Sequence, residues 1–128
     1  NRNNLSNILS RIFKSKNKMA VFIDSNTKPE VIKTGVERKH AHLNNLMTAI
    51  VDFTDGPMDE PEPPHSHPHE QISYIAEGEL HVFIGEEKHH LKAGDIFLVP
   101  SNVKHTIQTL TKRVRIIDSF SPIREDFL

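Results

Sequence analysis

The stretch 65-HSHPHEQISYIAEGEL-80 decides how this chain is read. Three histidines stand on alternate positions, an acid and an amide follow, and the segment then runs into a strand-like apolar pattern. Extended backbone turns successive side chains to opposite faces, so His65, His67 and His69 would point one way if the segment were fully extended. Two imidazoles two residues apart are able to share a metal ion. The pattern is cheap by itself, because a histidine-rich surface loop has the same letters. A second pair, His40 and His42 in 38-RKHAH-42, has nothing around it that supports ligation and reads as a solvated strand face.

Strand-like segments continue on both sides. Candidates are residues 19–23, 46–53, 71–77, 79–84, 87–92, 95–99, 103–110 and 112–120. Turn residues separate them: Gly56 with Pro57, Glu77 with Gly78, Gly85, Ala93 with Gly94, and Pro100 with Asn102. Short strands about ten residues apart, with no helical window between them, predict an all-β sandwich or barrel. The Pro-rich, acidic segment 55-DGPMDEPEPPH-65 is expected to be an exposed, stiff connection to the histidines.

Composition narrows the chemistry. A chain of 128 residues fits one domain with a real core. No apolar run is long enough to span a membrane. Without cysteine there is no disulfide and no thiolate, so a metal site must use nitrogen and oxygen ligands. A cytoplasmic location is compatible with this and is the expectation. Residues 1–18 carry Arg2, Arg11, Lys14, Lys16 and Lys18 with no acid, whereas the remainder holds an excess of acids. An acidic body argues against nucleic acid as a ligand. Leu5, Ile8, Leu9, Ile12 and Phe13 form one apolar helical face, so residues 1–18 read as a basic extension, helical or disordered, ahead of a β domain at 19–128.

The histidine pair gains weight from residues further along. Gln71 and Gly78 follow it at fixed spacing, and 94-GDIFLVPSNVKH-105 comes later. Together these resemble the two motifs of the cupin superfamily, G-x5-H-x-H-x3,4-E-x6-G and G-x5-P-x-G-x2-H. The first matches at His65, His67 and Gly78, with Gln71 where the acid usually stands and with the leading glycine displaced to Gly56. The second matches at Gly94, Pro100 and His105, with Asn102 replacing a glycine, a mild change because Asn tolerates a left-handed turn. The resemblance spans roughly residues 36 to 128 and implies a single-domain cupin, a jelly-roll barrel. It also implies a divalent transition metal, Zn, Ni, Mn or Fe, held by His65, His67, Gln71 and His105, with His69 outside the set. Three neutral imidazoles and an amide would leave the full charge on the ion, which favours Lewis-acid chemistry. The alternative is that Gln71 only hydrogen-bonds to a metal-bound water.

The C-terminal strand supplies a second group. Val114, Ile116, Asp118 and Phe120 share one face, and Arg113, Arg115, Ile117 and Ser119 the other. If the arginine face meets water, Asp118 goes inward, where a carboxylate is costly unless paired or used. The ending 118-DSFSPIREDFL-128, taken with 65-HSHPHEQISYIAEGEL-80, resembles the small cupins of the pectin-degradation type, which linearise 4,5-unsaturated monouronates. That resemblance implies Asp118 as the proton-moving group, Phe120 as a wall and Arg124 as the clamp for an anionic sugar acid. Arg38 is a further candidate for that carboxylate, its plainer reading being a solvated strand arginine. Thr48 and Ile50 are expected to line the pocket.

Two other functions remain open: a cupin oxygenase or cyclase with an apolar pocket and iron, and a non-enzymatic small-molecule binder. No helix-turn-helix, P-loop, dinucleotide fingerprint or G-x-S-x-G is present. The resemblance also implies a homodimer, since such barrels have edge strands to cover.

Overall fold

The computed structural model describes residues 21–128. The expected basic extension at 1–18 lies outside them. Nine strands follow one another: β1 (Glu30–Lys33), β2 (Val36–His42), β3 (Met47–Phe53), β4 (Glu70–Glu77), β5 (Glu79–Ile84), β6 (Glu87–Lys92), β7 (Ile96–Val99), β8 (His105–Thr109) and β9 (Val114–Ser121). Short 3-10 turns at Asp24–Asn26 and Glu125–Phe127 flank them. Six strands form one antiparallel sheet in the order β1-β2-β3-β9-β4-β7, and three form a second in the order β6-β5-β8. The all-β expectation holds, and the two sheets make the jelly-roll sandwich of a cupin.

Seven of the eight predicted strands form, because their apolar alternation matches the buried faces. In β4 the burial alternates strictly, with Gln71, Ser73 and Ile75 inside. The core packs Ile75, Leu80, Val82, Phe97, Val99, Val114 and Ile116 between the sheets. Leu80 is fully buried, so truncation to Ala would cost about 2–5 kcal/mol. Gly78 turns the chain from β4 to β5 at φ +86°, and a Cβ there would meet the Arg113 carbonyl at 2.2 Å. Only glycine satisfies both demands.

The structure corrects the sequence reading in two places. The predicted strand at 19–23 does not form over its described part, where residues 21–23 are irregular and lead into the first 3-10 turn. Instead β1 and β2 make a hairpin across Gly35, which has φ +79°. That hairpin lacks an apolar period because the inner positions of β2 after Val36 are Arg38 and His40. Thr48 and Ile50 point outward, while Met47, Ala49, Val51 and Phe53 face in; the expectation was one residue out of phase.

The Pro-rich segment is largely exposed, as expected, and is also anchored along its length by backbone hydrogen bonds. Met58 N–H donates to the Thr109 carbonyl (3.1 Å), Glu62 N–H to Ile107 (3.0 Å) and His65 N–H to His105 (3.1 Å). The segment thus lies along the open edge of β8. Pro57, Pro61, Pro63 and Pro64 have no N–H to give, so the pairing is intermittent and no regular strand develops.

Candidate metal centre

Backbone pairing delivers the histidines. His65 and His105 form an isolated antiparallel bridge, so the end of the Pro-rich segment and the start of β8 hold these two rings side by side, 4.3 Å apart at their centroids. His67 follows two residues on, its ring 4.8 Å from that of His105. The turn before β8 then locks onto the His67 loop: Asn102 N–H donates to the His67 carbonyl at 2.8 Å and the Ser101 hydroxyl to the Pro68 carbonyl at 2.6 Å. Asn102 adopts φ 64°, the left-handed conformation expected for the residue replacing glycine.

Ligand atoms of His65, His67 and His105 all lie within 4.8 Å of one another. Their protonation follows from their partners. The Val103 carbonyl can only accept, so the His105 Nδ1 beside it at 2.8 Å carries the proton. Its Nε2 is buried without a hydrogen-bond partner among the described residues. In the same way His67 Nδ1–H donates to the His69 carbonyl at 3.0 Å. Burial lowers the pKa of all three rings, that of His105 to about 4, and each also feels the positive charge of Arg124. They are therefore neutral near pH 7, with lone pairs free.

Gln71, the first inward residue of β4, completes the cluster. Its Oε1 lies 3.1 Å from His67 Nε2, while its amide nitrogen donates to Ser73 Oγ at 2.9 Å and lies 3.5 Å from Asp118 Oδ1. An acceptor oxygen thus faces an acceptor nitrogen. Two donors bound 2.0–2.2 Å from one cation at ordinary angles stand about 3–3.5 Å apart, which is the spacing found. The orphaned His105 Nε2, the opposed acceptors and the neutral imidazoles fit a divalent transition ion. His69 stays outside the group; its carbonyl orients His67 and its ring stacks edge-on against that ring at 5.4 Å.

Asp118 pairs across the sheet with Ser73 on β4 and with Ala49 on β3. It accepts from the Ser73 hydroxyl at 2.5 Å. Loss of water pushes its pKa up to about 6, against the opposing pull of Ser73, Arg124, Gln71 and Arg38. Phe120 is buried, with its ring edge-on to His67 at 5.8 Å. Arg124 holds Asp126 in a two-point ion pair at 2.8 and 3.0 Å and stacks over Phe120 and Phe127.

These side chains open onto a cavity of about 360 Å³, within the usual range for small-molecule sites. Its lining joins His65, Gln71, His105, Asp118, Phe120 and Arg124 to an apolar section made by Val51, Phe53, Phe97, Ile107 and Ile116. The sequence reading names Arg38 as a candidate for the carboxylate but gives no site role to Ser73, His40 or Phe127. Ser73 had a signal, since it shares the inward face with Gln71. Phe127 had none, since it stands outside any strand pattern. Arg38 and His40 read as solvated, yet both are half-buried beside Phe127, Arg38 with its guanidinium 3.5 Å from the ring centroid. His42, next inward on β2, is exposed.

Comparison with known proteins agrees with the fold and the motifs. The model of the family described as "Cupin domain" matches residues 52–120. The pectin degradation protein KdgF of Dickeya dadantii (strain 3937) is 38% identical over 109 residues, which is 84% of this chain and 96% of that protein. Among solved structures, KdgF from Halomonas sp. superposes with a TM-score of 0.78 at 34% identity, covering 85% of this chain and 98% of that one. An RmlC-like cupin from Shewanella frigidimarina NCIMB 400 gives 0.77 at 35% identity, covering 85% and 96%. With two motifs, the jelly-roll topology and these relatives in agreement, the chain belongs to the cupin family.

Proposed function

We propose that this cupin is a metal-dependent enzyme that linearises 4,5-unsaturated monouronates. The observation that carries the reading is the meeting, in one cavity, of a three-imidazole and amide cluster with a shielded carboxylate, Asp118, and a cation, Arg124. Likeness to KdgF proteins along most of the chain supports the substrate class.

A divalent ion held by His65, His67, His105 and Gln71 would act as a Lewis acid toward substrate oxygens. Asp118, with its pKa near neutrality, takes the proton of the anomeric hydroxyl. The electron pair left on O1 then forms the aldehyde carbonyl as the C1–O5 bond breaks and its pair leaves on O5. The released enolate, with its C4=C5 double bond, collapses to the C5 ketone as C4 receives a proton from the same carboxyl. Every atom of the pyranose is retained, so the step is an isomerisation. Ser73 fixes the Asp118 carboxylate, Phe120 walls the ring, and Arg124 directs positive charge at the substrate carboxylate.

A homodimer is part of the proposal. Ile72 and Leu98 pair across β4 and β7, as do Tyr74 and Ile96, and all four are exposed on the outer sheet face at the edge of β7. Such a contiguous patch beside an unpaired edge suits a two-fold contact with a second copy. Among the described residues no helix is long and apolar enough to cross a membrane.

The apolar part of the cavity favours a second reading, a cupin oxygenase or cyclase. One experiment separates the two: metal content by elemental analysis, together with loss of the conjugated double-bond absorbance of an unsaturated monouronate. Turnover that needs metal and vanishes in Asp118→Asn supports linearisation. Metal-loaded protein inert toward the uronate refutes it.

A further inference from the structure

The cavity wall holds a cation that the scheme above leaves unused. Arg38 lies on the inner face of β2, in register with Val51 on β3 and through it with Ile116 on β9. Its side chain is only 15% exposed. One terminal nitrogen reaches Glu30 at 3.1 Å, but Nε is buried with no acceptor among the described residues. Arg38 lines the cavity with Glu30 as its one acceptor among the described residues, so guanidinium donors remain for an acceptor oxygen that binds there.

The other cations lining the cavity are committed. Lys33 is tied to both oxygens of Glu62, at 2.5 and 2.6 Å. Arg124 spends Nε and a terminal nitrogen on Asp126. Phe127 carries both arginines, with Arg38 at 3.5 Å and Arg124 at 4.4 Å from its ring centroid. Stacking confines a guanidinium in its plane, so its N–H groups must point past the ring edge.

We infer that Arg38 is the specificity-determining residue for the substrate's carboxylate, adding its own donors to those that Arg124 has left after its ion pair with Asp126, and that Phe127 is its positioning residue. This rests on the uronate reading for the identity of the anion. Arg38 and Arg124 then share the carboxylate.

The test compares the unsaturated monouronate with its C6 methyl ester, using full-length, metal-loaded protein. Arg38→Gln should raise KM for the acid about tenfold or more, with kcat and metal content little changed, and should remove the preference for acid over ester. Arg38→Lys should restore part of that preference, and Phe127→Ala should lose part of it. An unchanged acid-to-ester ratio in Arg38→Gln overturns the assignment while leaving the reaction standing. If wild type turns over neither compound, calorimetric titration with galacturonate and galactose decides. Galacturonate binding that disappears in Arg38→Gln upholds Arg38 and rejects the reaction. Absent binding in wild type, or equal binding in the variant, overturns the role of Arg38.

Discussion

Gln71 Oε1 faces His67 Nε2 across 3.1 Å, two acceptors held against each other by hydrogen bonds made at their far ends. His67 is fixed by the His69 carbonyl, and Gln71 by Ser73. The arrangement is repulsive unless a cation sits between them. In the proposed centre Gln71 would offer its oxygen to the metal, while its nitrogen faces Asp118 at 3.5 Å.

Metal content should separate the rings. His105→Ala and His67→Ala should lose stoichiometric metal, as measured by elemental analysis after dialysis. His69→Ala should keep it, because the main-chain carbonyl that orients His67 survives the substitution. Full occupancy in His105→Ala would falsify the assignment.

Gln71→Glu tests the amide from both sides. A carboxylate should bind the ion more tightly, yet it would lose the donor to Ser73 and set a second negative charge near Asp118. The acid limb of kcat/KM against pH should then move up by about one unit. An unmoved limb would mean that Gln71 and Asp118 are not coupled.

Ser73→Ala removes the strongest hydrogen bond to the ionised Asp118 carboxylate. Its pKa, already raised to about 6, should rise further and carry the acid limb of the rate profile to higher pH by about one unit. Lost stability of about 1–2 kcal/mol is expected in urea unfolding. A shift toward lower pH would contradict the role given to Asp118 as base.

Acid should destabilise the metal-free protein. The three cluster histidines have folded-state pKa values below 6.5, His105 at about 4, so between those limits the unfolded chain binds more protons and stability falls as pH falls. His105 contributes about 1–3 kcal/mol after allowance for partial solvent screening. Asp118 acts in the opposite sense between 3.8 and about 6, where the folded state binds the extra proton. Urea unfolding at pH 7 and pH 5 should therefore show a drop for the metal-free protein, and a steeper one in Asp118→Asn. A flat profile would leave the buried imidazoles without their expected cost.

Leu98→Asp places a charge in the middle of the exposed apolar patch on β4 and β7. Wild type should sediment as a dimer and this variant as a monomer with unchanged metal content. A wild-type monomer, or a variant that still dimerises, removes that face from consideration.

Much of this was legible because side-chain direction in a strand is a local property. Alternation in β9 placed Asp118 and Phe120 inside before any coordinates were needed, and the same period in β4 puts Ser73 on the face of Gln71. Motif spacing selected His65, His67 and His105 from nine histidines, and the Asn102 turn that joins the motifs has the backbone conformation its residue type allows. The same alternation, applied one residue out of phase, chose Thr48 and Ile50 over Ala49 and Val51.

What the sequence alone determined is therefore the β architecture, the cupin motifs and the identity of the groups on each inner face, since pleat and turn chemistry act over a few residues. Tertiary structure decided which of those groups meet. Sheet register sets Ala49, Asp118 and Ser73 in one row, the Pro-rich segment brings His65 to His105, and a turn at the far end of the sequence lays Phe127 against Arg38. The inner face of β2 stayed hidden for the same reason: Arg38 lines the cavity and His40 lies beside Phe127 rather than in the core, and only the packed sheet supplies the surroundings that make an inward arginine tolerable.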